Sequence, residues 1–185
     1  MNILVQTAEG QIYTRPDTSW ERKGGDYFVP EFPDGFSWSP VLFAHISRPG
    51  KSILPRFAGR YYDGVGFGLL LYAEPISGAA GLASSACLDH SSFLPETLFG
   101  TGSLQGKVFE VEMDGAPIFK TGMFNTEMVD EAMAAATRSC LVRRGDLLCM
   151  ELAPIAHLCS REEGTRRIRA AFAGSAVLDF KLIYS

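Results

Sequence analysis

The sequence predicts an α+β fold, mostly β, with sheets rolled around one long helix. Three observations point there. Only Thr126 to about Cys140 carries a broad apolar face at helical spacing, through Met128, Val129, Ala132, Met133, Ala135, Ala136 and Cys140. The other apolar residues come in short runs of strand length, such as Val41–Ile46 and Val108–Met113. Nineteen glycines and ten prolines separate those runs, which favours turns over long helices.

The elements follow in chain order. Ile3–Gln6 is the first strand, and Gly10–Tyr13 is its hairpin partner. Arg15–Asp26 is polar and broken by Pro16, Gly24 and Gly25, so a loop is expected. Pro30, Pro33 and Pro40 keep the next stretch extended, and Val41–Ile46 is a strand. Arg48 to Ser52 makes a turn, and Ile53–Phe57 a further strand. Gly66–Glu74 has three successive leucines, Leu69 to Leu71, as in a strand covered on both faces. The small-residue run Gly78–Ala86 either lines a cavity or packs tightly.

Val108–Met113 alternates, with Phe109, Val111 and Met113 on one face and Glu110 and Glu112 on the other. Asp114-Gly115 is a hairpin turn, and Ile118–Thr121 returns the chain. The helix begins at an Asn125 or Thr126 cap. Glu127, Asp130 and Glu131 lie toward the positive end of its dipole and Arg138 toward the negative end. A turn at Arg143–Asp146 follows, then strands at Leu147–Leu152, Ile168–Phe172 and Val177–Tyr184.

A chain of 185 residues with 46% hydrophobic and 21% charged residues is globular and large enough for a core without staples. The net charge of -4, with no aromatic residues among the basic clusters at Arg143-Arg144 and Arg166-Arg167-Arg169, argues against nucleic-acid binding. Those arginines are expected to be solvated and paired with Glu162 and Glu163. No apolar stretch is long enough for a membrane span, and the N-terminal run is too short for a signal peptide. Cys87, Cys140, Cys149 and Cys159 lack metal-ligand spacing. Buried free thiols in a cytoplasmic protein are therefore expected.

His45, His90 and His157 are the only histidines. His90 lies between Asp89 and Ser91-Ser92, but neighbours on an extended chain point to opposite sides and cannot form a local triad. Glu110 and Glu112 could hold a cation, though a solvated strand face is the expected role. No nucleotide-binding glycine loop, nucleophile elbow or zinc-protease motif occurs.

Several stretches, in order, resemble the fumarylacetoacetate hydrolase (FAH) family, which includes 2-keto-4-pentenoate hydratase-like domains. Pro40-Val41-Leu42-Phe43, Arg48-Pro49 and Ser52-Ile53 are similar to the family's P-x-L-F-x-K-P-x-S-x-I stretch, with Arg for Lys. Phe109 to Gly115 resembles the strand ending in the family's Asn-Gly turn. Phe124 to Met128 resembles its N-T-x-x-M helix entry, and Leu141 to Leu148 its L-x-P-G-D-x-I segment. The resemblance covers 38–185 of a single expected domain, 1–185, with 1–37 a divergent N-terminal segment. It implies the family's β-roll around a helix, and a homodimer.

The resemblance also implies what has changed. The family's two metal-binding glutamates correspond to Gly66 and Gly68, and its aspartate ligand to Ser85, or to Asp89 in a shifted register. Glycine and serine cannot replace the hard oxygen ligands of a Mg²⁺-like ion. Glu151 stands at the glycine of the family's T-G-T-P segment, and the lid with its His and Glu has no counterpart. The expectation is a divergent protein with no cofactor, binding a small acidic metabolite through Arg48, Lys51 and Ser85, or acting as an interaction module. The alternative is an active 2-oxo-acid hydratase or C–C bond hydrolase with a relocated site, using Asp89, His90, Glu110, Glu112 or Glu151.

Overall fold

The computed structural model describes residues 1–184; Ser185, the last residue of the expected domain, lies outside them. Two sheets share most of the chain. The first contains β1 (Asn2–Gln6), β2 (Ile12–Pro16), β3 (Trp20–Glu21), β5 (Gly35–Ile46), β6 (Tyr62–Ala73), β7 (Ser92–Phe93), β10 (Leu147–Glu151) and β11 (Ala156–Ser160). Its order is β2-β1-β10-β5-β6-β7-β3, with β11 also on β5. The second contains β4 (Tyr27–Phe28), β8 (Phe109–Met113), β9 (Ala116–Thr121), β12 (Arg166–Phe172) and β13 (Ser175–Ile183). Its order is β4-β13-β12-β8-β9.

β2 and β3 lie at opposite edges of the first sheet, yet only the short turn Asp17–Ser19 joins them. The sheet must therefore curl until its edges meet. This gives it an inner and an outer face. Ile3, Val5, Val41, Phe43, Leu70, Tyr72, Leu147 and Cys149 fill the inside. On the outer face, Leu42, Phe67, Leu69 and Leu71 join the main core with the second sheet and α3 (Thr126–Ser139). Both faces of β5 and β6 are thus buried, so alternation disappears from their sequences.

Pro40 sits in the middle of β5, where proline is disfavoured because it lacks a ladder donor. Its carbonyl accepts from the Leu152 amide, so its nitrogen faces the same side, at the break between β10 and β11. The missing donor falls where no ladder bond is needed.

α3 is the longest helix. Asn125 Oδ1 caps it by accepting from the Met128 amide at 2.8 Å. Val129, Ala132, Met133 and Ala136 are buried against the sheets, as the helical spacing predicts. Two local expectations need correction. Ile53–Phe57 is not a strand: Pro55–Ala58 forms the short helix α1, which Pro55 can begin because its missing N–H lies in the first turn. Arg15–Asp26 is not simply loop, since Arg15 lies in β2 and inside the curled sheet, 1% exposed. Gly78–Ala86 forms helix α2, and its residues line two cavities, one of the two expected roles. The segment 1–37 is woven into the sheets, with β1 parallel to β10.

Candidate functional site

Gly66 and Gly68 lie inside the curled sheet, and their surroundings are close-packed. A Cβ on Gly66 would lie 2.3 Å from the Phe43 ring, and one on Gly68 would lie 2.3 Å from the Phe93 carbonyl oxygen. Neither position has room for a methyl group, still less a carboxylate. Phe43 is buried and stands opposite Gly66 on β5. Leu94 borders Gly68. Among the described residues, no three His, Cys, Asp or Glu side chains converge as metal ligands would. The residues present therefore do not fit the hard cation that the family resemblance implies.

The polar groups inside the sheet lie further along, where β2, β6 and β10 face one another. Tyr72 is fully buried on β6, and its hydroxyl lies 2.5 Å from that of Tyr13 on β2. Tyr72 donates to Glu151 Oε1 at 3.0 Å, and the Ala8 amide donates to Oε2 at 3.1 Å. Arg15 crosses to the opposite strands. Its Nη2 donates to the Leu71 carbonyl at 2.8 Å and to Ser91 Oγ at 2.6 Å, and the guanidinium packs 4.9 Å from the Tyr72 ring centre. Nε and Nη1 of Arg15 are buried without a hydrogen bond of good geometry, and the Tyr13 phenol is a polar neighbour of the guanidinium.

Burial dominates the electrostatics here. Desolvation raises the Glu151 carboxyl above its ordinary value, despite the hydrogen bonds from Ala8 and Tyr72. It pushes the Tyr13 phenol up to about 12 and the Tyr72 phenol well above its ordinary range. A guanidinium keeps its charge at any pH at which proteins fold. A cavity of about 470 Å³ opens next to this cluster, between the β1–β2 hairpin and α2; Thr7, Gln11, Tyr13, Leu82 and Cys87 are among its walls.

The other sequence candidates are spread over the molecule. Arg48 and Lys51 are exposed on the turn before α1. Ser85 lies on α2, its hydroxyl donating to the Leu82 carbonyl, while the atoms nearest Gly68 belong to Phe93 and Leu94. Ser85 and Asp89 share a cavity of about 480 Å³ with Glu74. His90 has a left-handed backbone and pairs with Glu21 at 3.3 Å. Ser91 and Ser92 are turned instead to Arg15 and Ser19. Glu110 pairs with Lys120 at 3.2 Å on a half-exposed face. The basic cluster is paired, but only Arg166–Glu163 involves an expected partner; Arg166 also meets Asp114, and Arg167 and Arg169 share Asp179. All four cysteines are free, but only Cys149 and Cys159 are buried; Cys140 is half-buried, and Cys87, which caps α2, is exposed. Among the described residues, no helix is long and apolar enough to cross a membrane.

Sequence reasoning passed over Arg15, Tyr13 and Tyr72. Arg15 lies in a polar stretch and Tyr72 ends a leucine run; neither composition marks a buried ionic cluster. Glu151 was legible only through its place in a resembling motif.

No family model and no curated protein sequence matches the chain. Solved structures do. Fumarylpyruvate hydrolase from Pseudomonas aeruginosa, in complex with Mn²⁺ and pyruvate, is 13% identical with a TM-score of 0.82, covering 100% of this chain and 90% of that one. The 2-hydroxyhepta-2,4-diene-1,7-dioate isomerase from Mycobacterium marinum is 14% identical with a TM-score of 0.83, covering 100% and 75%. A Yersinia pestis CO92 protein assigned to the fumarylacetoacetate hydrolase family is 15% identical with a TM-score of 0.81, covering 98% and 92%. At these identities the likeness is one of backbone path, and it extends over the whole chain: the protein has the fold of the fumarylacetoacetate hydrolase family.

Proposed function

We propose that this protein is a divergent FAH-fold domain that has lost the family metal site and binds a small acidic metabolite inside the curled sheet. The observation that carries this reading is the buried Arg15 guanidinium, whose Nε and Nη1 make no hydrogen bond of good geometry. A buried charge without a full set of partners is costly, and an entering carboxylate would relieve that cost. The cavity walled by Tyr13 is where such an acid would enter, with movement of the Tyr13 side chain opening the way to Arg15. Arg48 and Lys51, exposed on their turn, are left to solvent or to a protein partner. A cytoplasmic homodimer of one FAH-like domain, as an interaction module, belongs to the same reading; light scattering on the purified chain tests the dimer.

Glu151 favours a second reading, an enzyme of the hydratase or C–C hydrolase type with a relocated site. A buried carboxyl with a raised pKa is suited to proton transfer. The fold likeness supports hydrolase or isomerase chemistry only by analogy.

Calorimetric titration with pyruvate and longer 2-oxo acids, in the presence of a chelator, tests the binding. Saturable binding that weakens at least tenfold in Arg15→Met and in Tyr13→Phe is expected. The absence of binding, or binding unchanged in both variants, would remove the proposal. Slow consumption of the bound acid, lost in Glu151→Gln, would favour the second reading.

A further inference from the structure

A separate set of residues lines up at the rim of the first sheet. β11 carries a bulge between His157 and Cys159, where His157 pairs with Ser37 and Cys159 with Phe36 of β5. In a regular strand, residues three apart point to opposite faces; an inserted residue resets the alternation. His157 and Ser160 thus share a face, and Ser160 Oγ lies 3.4 Å from His157 Nε2. On the other side of the ring, Nδ1 meets Glu74 Oε1 at 3.0 Å. Glu74 is itself held by Ser37, whose hydroxyl donates to the same oxygen at 2.5 Å. Gly35 makes this approach possible, since a Cβ there would lie 2.5 Å from the Cys159 carbonyl.

We propose that Ser160, His157 and Glu74 form a nucleophilic site for acyl transfer from small carboxylic esters. The roles follow from the bonds. The Glu74 carboxylate accepts from Nδ1–H and so leaves the Nε2 lone pair facing the Ser160 hydroxyl. Ser160 Oγ attacks the ester carbonyl carbon as its proton moves to Nε2. The carbon–oxygen bond to the alcohol breaks, and the alcohol leaves with that proton. Water then attacks the acyl-serine by the same route, giving the acid and free Ser160. An apolar groove of about 290 Å³, lined by Trp38, Ile118, Phe119, Pro154, His157 and Leu158, runs beside the imidazole and suits a short apolar acyl group.

Two features fix what such a site can do. His157 is 54% exposed, so water reaches it. The amides that would serve an oxyanion are already engaged: Ser160 N–H donates to Glu163 Oε2, and Arg161 N–H to the Asp34 carbonyl. Transition-state stabilisation by such donors is usually the largest single contribution, so turnover is slow and the acyl-serine is the better readout.

The test uses the full chain with a fluorophosphonate, which forms an O–P bond to an activated serine as fluoride leaves, followed by peptide mass spectrometry. One adduct at Ser160 is expected, together with a one-equivalent burst of nitrophenol from p-nitrophenyl butyrate. His157→Gln should slow labelling on the order of a hundredfold. Glu74→Gln should slow it as well, with Glu74→Asp recovering part of the rate, whereas Ser103→Ala should label as the parent does. No adduct at Ser160, an adduct at other serines, or a rate unaffected by His157→Gln overturns the proposal.

Discussion

At the scale of single residues, two glycines mark where the interior of the curled sheet is filled by its neighbours. Gly66 has no Cβ because the Phe43 ring occupies that space. Gly66→Ala should therefore cost about 1–3 kcal/mol by overpacking. Phe43→Leu combined with it should return much of that loss, and chemical denaturation of both single variants and the double variant measures the coupling. Additive effects would mean that the ring gives way freely. Glu151 gives a second prediction. Its folded pKa is raised by burial, so between the unfolded value near 4.5 and the higher folded value the native state holds a proton that the unfolded chain has released. Stability therefore falls as pH rises through that window, and then levels off. Glu151→Gln should flatten this dependence of melting temperature on pH. Identical pH profiles for parent and variant would contradict the account. None of this was legible in the sequence beyond the missing carboxylates. Glycine announces that a side chain is absent, but not what fills its place. Arginine in a polar stretch looks solvated until the curl of the sheet buries it.

At the scale of elements, legibility followed the strength of the local pattern. α3 and the β8–β9 hairpin were readable because a helical stripe and a strict alternation each repeat long enough to be distinctive. β3, β4 and β7 are two residues each and leave no period to detect. They exist because longer strands beside them offer edges. Ile53–Phe57 is apolar enough for a strand, but Pro55 starts a helical turn that packs on α3. The bulge in β11 is likewise invisible in sequence, yet it decides that His157 and Ser160 meet. Met133 tests the packing of α3 against the sheets. It is fully buried, and its carbonyl accepts from Thr137 Oγ1, whose oxygen also receives the Ile53 amide. Met133→Asp places an unpaired carboxylate in that core and should cost roughly 3–5 kcal/mol, a large share of a domain's stability. A thermal melt within a degree or two of the parent would show the face to be free.

At the scale of the whole molecule, two cores divide the labour. The main core lies between the sheets and α3, and the inner core lies within the curled sheet. The path of the backbone is close to that of enzymes whose sequences share only about one residue in seven with it. That is expected when packing volume and strand pattern are conserved more tightly than side-chain chemistry. The central proposal is that the Phe43 ring, the Phe93 carbonyl and Leu94 fill the space beside Gly66 and Gly68 where the resemblance implies a divalent cation, so that no such ion binds there. Calorimetric titration of the purified, chelator-treated protein with Mn²⁺ and then Mg²⁺ tests this most directly. The account predicts no saturable one-to-one heat with either ion and no change in melting temperature. Tight stoichiometric binding, reversed by chelator and abolished by Asp89→Ala, would contradict it and show that the metal site has been rebuilt.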